Sequence, residues 1–240
     1  MQEEFDLVPN QGRSNLFKVT FDFYTPRAHF VILPRDGQHL ESNDLSGLSS
    51  QSRRELLRVA SSLVAEYHLN LFAVLSVHRG SWVSTKDKFH AHVCTDVDHY
   101  LDVFNRKENQ IPGWPSSAFV TRQWRVSQDP RKYAENVVAY PVSSYYKKEL
   151  GDISKIRAEG PADTPAEQAY KGYVLVYHPS EPKVGFAAQK KTDVSIDDLM
   201  QVLNAMNEFA GSKNLTDVKS KDQHQGCHLC IVFNFIDHGK

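Results

Sequence analysis

Cysteine is scarce in this chain: Cys94, Cys227 and Cys230 are the only three in 240 residues. An odd and sparse count cannot build the disulfide frame of a small secreted protein, and it suits a reducing compartment. An excess of charge of either sign is also missing, since 28 Lys and Arg against 29 Asp and Glu leave a formal net charge of −1. That balance argues against a dedicated duplex-binding protein, whose footprint is usually basic overall, and leaves room for a local basic site. No apolar run approaches the roughly 18 residues that suggest a membrane span. Met1 to Gln11 is acidic and polar, without the basic start and apolar run of a signal peptide. The expectation is a cytoplasmic or nuclear protein with no membrane partner. Hydrophobic residues at 40% and charged residues at 24% place the chain among folded proteins rather than disordered ones. A chain of this length buries roughly 70% of its unfolded surface, enough for one large domain or two small ones.

What is there begins with strand patterns. Residues 17–25 alternate apolar and polar, and Ala28 to Leu33 is a short apolar run closed by Pro34. Leu56, Ala60, Leu63, Val64 and Tyr67 recur on one face of a helix expected from about Ser50 to Tyr67. Leu71 to Val77 and Phe89 to Thr95 read as strands, with His78 to Lys88 as a polar loop between them. Six prolines between 105 and 165 disfavour long regular elements there. After it, Tyr173 to Tyr177 and Val184 to Ala188 read as strands. Ser195 with Asp198 opens a helix striped by Ile196, Leu199, Met200, Leu203 and Ala210, with Gly211 as its expected stop. Leu229 to Phe235 is a last alternating strand. Strand, helix and His/Cys strand thus recur in the same order, which points to a duplicated unit.

The sharpest local feature is Lys88-Phe89-His90-Ala91-His92-Val93-Cys94. On a strand, Lys88, His90, His92 and Cys94 share one face, while Phe89, Ala91 and Val93 take the other and pack on the core. Two imidazoles side by side beside a Gly/Ser/Thr loop suit a phosphate or a metal. The plain alternative is two partly exposed histidines on a solvated face.

The order of a strand ending in Pro34-Arg35, a polar turn, an amphipathic helix, a strand, a Gly-containing loop and His-x-His resembles the histidine triad (HIT) superfamily. The likeness covers about residues 17–105, with His90 to Asp96 most similar to its aprataxin-like branch. That family's motif is His-x-His-x-His, and its middle histidine forms a nucleotidyl-histidine at an α-phosphate. Only two of the three histidines are here. Aligning His224 to Cys230 beneath Lys88 to Cys94 makes His90 the nucleophile, His92 the third histidine and Lys88 a departure from the motif. The other register makes His92 the middle residue and Cys94 the third position. Thr85, with Ser84 as alternate, stands where the resemblance implies a phosphate-contacting hydroxyl, and Lys88 would aim a charge at the phosphate. No metal or other cofactor is expected.

Three further features carry alternatives. Arg122, Trp124, Arg125, Arg131, Lys132 and Tyr133 interleave charge with aromatics, which suits phosphate contact and base stacking or anchors an irregular segment. His-Ala-His with Tyr133 or Tyr140 downstream also resembles rolling-circle nickases, although Pro141 breaks the required helix. His224, Cys227, His228 and Cys230 include zinc-type Cys-x-x-Cys spacing without a second pair at the usual distance. The expected architecture is α+β, two HIT-like antiparallel sheets each with one principal helix, joined as an intrachain pseudo-dimer. Its expected parts are an N-terminal HIT-like domain (1–105), an irregular connector (106–165) and a degenerate second copy (166–240). The expected activity is nucleotide hydrolysis or nucleotidyl transfer on a nucleotide or dinucleotide, with single-stranded or adenylated nucleic acid as a further partner, by a monomer. A degenerate, non-catalytic nucleotide or nucleic-acid binder is the alternative.

Overall fold

The computed structural model describes residues 5–8, 10–21, 29–69, 73–80, 88–95, 97–107, 169–170, 173–178, 183–188, 195–212 and 227–233. They form an α+β structure built on one sheet. Its strands are β1 (Phe17–Phe21), β2 (His29–Pro34), β3 (Ala73–Arg79), β4 (Ala91–Cys94), β5 (Ala169–Tyr170), β6 (Tyr173–His178), β7 (Lys183–Ala188) and β8 (Cys227–Phe233). Their order is β1-β2-β4-β3-β8-β7-β6-β5. The helices are α1 (Ser50–Glu66), α2 (Val97–Lys107) and α3 (Ile196–Ser212).

The sheet is not antiparallel throughout, as the sequence reading expects: β7 and β8 pair in parallel. Their connection contains α3, and parallel neighbours require such a crossover. The β2–α1–β3 connection has the same logic, except that β4 is inserted between its two strands and pairs antiparallel with each. Because β8 runs parallel to β7 while β4 runs antiparallel to β2, β8 does not take the place of β4. This corrects the alignment of 224–230 beneath 88–94.

Alternation along the strands puts Phe17, Val19, Phe21, Phe30, Ile32, Leu75, Val77, Ala91, Val93, Leu229, Ile231 and Phe233 in one core with the helices. The helix α1 contributes Leu56, Leu57, Val59, Ala60, Leu63 and Val64, all buried, each worth roughly 1.5–3 kcal/mol when a large side chain is fully buried. Its N-cap is Ser49, whose side chain accepts from the Ser52 amide. After Tyr67 the chain turns through His68 in the left-handed region (φ 52°) and the helix stops. The capping box of α3 forms as the sequence predicts: Ser195 Oγ accepts from the Asp198 amide at 3.1 Å, and Asp198 accepts from Ser195 Oγ at 2.9 Å. Its end differs from the expectation, for the helix runs through Gly211 to Ser212. The two helices lie side by side, linked by Arg53 donating to Asn204 at 3.0 Å.

Candidate functional site

The opposite face of the sheet carries the histidines. Pairing sets His29 and Val74 beside Cys94, and Val31 and Ser76 beside His92. Two residues beyond Ser76 on β3, and two before His92, His78 and His90 come together on the same face. Their ring centroids are 4.6 Å apart, those of His90 and His92 5.1 Å, and those of His29 and His92 4.7 Å. His78 and His90 are buried, at 7% and 8% exposure, and His92 is half-buried. One ring nitrogen from each of His78, His90 and His92 lies within 4.8 Å of the others.

Why His78 belongs to this group is a matter of where β3 ends. The sequence reading places His78 in a polar loop after Val77. In the structure β3 continues to Arg79, because β8 pairs with it residue by residue as far as His78↔His228 and Arg79↔Cys227. Arg79, pointing to the other face, donates its Nε hydrogen to Asn207 of α3 at 2.7 Å and pins the strand end to the helix layer. The strand then breaks at Gly80, which has φ 93° and donates its amide to Asp44 at 2.7 Å. A side chain would be strained at that φ, so the glycine defines the last strand residues and with them the position of His78.

The sequence-predicted site residues distribute as follows. His90 and His92 stand together at the centre of the cluster. Lys88 is exposed, and its carbonyl oxygen lies 3.4 Å from His90 Nδ1. Thr85 and Ser84 lie outside the described residues, as do Tyr133, Tyr140, the basic and aromatic segment, and His224. Phe89, Ala91 and Val93 are buried in the core, as alternation predicts. Cys94 is buried on the histidine face beside His29. The sequence reading missed His29 and His78. The alternation in His29-Phe30-Val31-Ile32 held a signal for the first; the second needed knowledge of β8.

Chemically, the three side chains that converge, His78, His90 and His92, offer imidazole nitrogens and no carboxylate. Such a set can donate to phosphate oxygens, attack as neutral nucleophiles, or ligate a metal. No membrane-length apolar helix occurs among the described residues. Compared with known proteins, the chain matches no family model, no curated protein and no solved structure.

Proposed function

We propose that this protein is a nucleotide hydrolase or nucleotidyl transferase of the histidine-triad type, carrying the nucleotidyl group on His90. The observation that supports it is the 3.4 Å approach of His90 Nδ1 to the Lys88 carbonyl oxygen. With the proton on Nδ1 this contact is a hydrogen bond, and Nε2 keeps its lone pair for attack. In the resembled family a backbone carbonyl plays this part. Nε2 of His90 attacks the α-phosphorus, a nitrogen–phosphorus bond forms, and the bond to the leaving-group oxygen breaks with its electrons. Water then displaces the imidazole in hydrolysis, or an acceptor hydroxyl does so in transfer. His92, with its ring centroid 5.1 Å from that of His90, supplies a donor for the charge that develops on phosphate oxygens. Thr85 and Ser84 keep their proposed role as phosphate-contacting hydroxyls.

With His90 taken as the middle histidine on the strength of its Lys88 carbonyl contact, Lys88 stands where the motif has its first histidine. An ammonium adds charge at the phosphate, but it does not shuttle a proton near neutral pH as imidazole does, so leaving-group protonation suffers and turnover is slow. Lys88→His is expected to speed turnover. That same departure favours the second reading, a non-catalytic nucleotide-binding module. The substrate class is a nucleotide, a dinucleotide or an adenylated nucleic-acid end, bound by a monomer in which the two halves act as a pseudo-dimer. The recurrence of hairpin, helix and strand in β1-β2-α1-β3 and β6-β7-α3-β8, with β3 and β8 antiparallel neighbours, supports a duplication. In it β8 answers to β3, and among the described residues the second half shows no counterpart of the His-x-His strand.

The test is adduct trapping. After brief incubation with a labelled dinucleotide and rapid denaturation, peptide mass spectrometry should find one nucleotidyl group on His90. His90→Ala should abolish both adduct and turnover by several orders of magnitude, and His92→Ala should lower turnover less. Tight nucleotide binding with no adduct would establish the non-catalytic reading instead, and an adduct on His92 would reverse the register.

A further inference from the structure

The geometry points to a transition-metal site: His78, His90 and His92 bind one divalent ion, zinc in the first instance, through three imidazole nitrogens. The three come from adjacent strands whose pairing is set by backbone hydrogen bonds, with Val77 opposite Ala91 and Ser76 opposite His92. Their ligand atoms already lie within 4.8 Å of one another. A tetrahedral zinc with bonds of about 2.0–2.1 Å needs nitrogens about 3.4 Å apart. Closing that gap takes displacements of the order of an ångström, which rotation of imidazoles about their side-chain bonds supplies without moving a strand. Neutral imidazole suits zinc, copper, nickel and cobalt, while magnesium and calcium demand the oxygen donors that this trio lacks. The Lys88 carbonyl near His90 Nδ1 is the type of outer partner that orients a metal-bound histidine and leaves its other nitrogen for the ion. Three protein ligands leave a fourth position for water or a phosphate oxygen.

The site does not require the nucleotidyl-transfer reading, though the two share His90. A bound ion occupies the nitrogen that attack at phosphorus needs, so the metal-loaded chain would be inhibited and a chelator would restore it. The decisive readout is binding, measured without nucleotide. The full chain, stripped with a chelator, is titrated with Co²⁺. The expected result is one ion per chain, visible absorption of a low-symmetry nitrogen site, and displacement by Zn²⁺. His78→Asn and His92→Asn should each weaken binding at least tenfold to a hundredfold, while His39→Gln, at an exposed position, should change nothing.

The double variant Cys227→Ser/Cys230→Ser separates this site from the Cys-x-x-Cys spacing near the C-terminus. Binding that survives it, without thiolate charge-transfer bands, supports the histidine site. Binding lost with the cysteines, unaffected by His78→Asn, or absent at micromolar metal overturns it. Where a histidine variant does not fold by circular dichroism, X-ray absorption of the zinc-loaded wild type decides. Imidazole nitrogens at about 2.0–2.1 Å support the proposal, and sulfur at about 2.3 Å overturns it. Failure to trap a nucleotidyl adduct leaves every one of these readouts unchanged.

Discussion

Glu55 shows how one carboxylate ties the start of the sheet to its helix. It receives two hydrogen bonds from Arg58, at 3.1 and 2.9 Å, and one from Ser14 at 2.7 Å. Ser14 Oγ accepts in turn from the amides of Leu16 and Phe17 at the head of β1. Arg58 also donates to the carbonyls of Gly12 and Arg13. The Arg58 hydrogen bonds, then that of Ser14, hold the Glu55 carboxyl below its ordinary value of 4.5, against the opposing effect of burial. A depressed folded pKa contributes stability above the unfolded value, and that contribution fades as pH falls below about 4.5 through the folded value. Glu55→Gln is therefore expected to cost about 1 kcal/mol at pH 7, a modest figure because the group is partly solvated. The cost should shrink as pH drops below that range. Thermal melts of both proteins from pH 7 to pH 3 check this, and a constant difference across the range would count against it. At the same scale the phenol of Tyr67 is pushed up by burial first and by Glu66 second, and it donates to the Leu7 carbonyl at 2.8 Å.

At the scale of elements, helix ends respond most simply. Removing the Ser49 hydroxyl leaves the Ser52 amide without its cap, so Ser49→Ala should destabilise the protein by about 1 kcal/mol in urea unfolding. The helix α2 makes a stronger case. It docks through Tyr100, Val103 and Phe104, with Phe21 edge-on to both aromatic rings at 5.8 and 5.5 Å and Phe30 tilted on Tyr100 at 5.5 Å. Phe104→Ala should cost roughly 3–5 kcal/mol, since it empties a fully buried ring site. A loss under 1 kcal/mol would mean that α2 is not held on the sheet as described. The sequence reading passed over α2, although Tyr100, Val103 and Phe104 are spaced i, i+3, i+4. With residues 89–95 read as a strand and a proline-rich stretch following, that short apolar stripe had no obvious neighbour to bury against.

For the molecule as a whole, the β3–β8 pairing joins strands from the two ends of the chain into one sheet. Without β8, β3 becomes an edge strand carrying buried Val74, Leu75 and Val77, a template for unwanted pairing. A chain ending at residue 168 should therefore aggregate or self-associate on size-exclusion chromatography, while the full chain runs as a monomer. A well-behaved monomeric fragment would contradict the role given to β8. The truncation also removes the pairing that carries β3 out to His78, so fragment and full chain should differ in metal binding as well as in association.

What the sequence determined by itself is local. Period-two and helical spacing located β1 through β4, α1 and α3 within a few residues, because those patterns reflect which side chains must leave water. The Ser195–Asp198 cap was legible because capping is a contact across three residues. The division of Phe89, Ala91 and Val93 from His90 and His92 followed from alternation alone. Tertiary structure decided what depends on partners distant in sequence. It made β7 and β8 parallel, carried β3 past Val77, and so brought His78 to His90 and His92. A strand's length and direction are settled by the strand beside it, and the partner that settles β3 lies some 150 residues further along the chain.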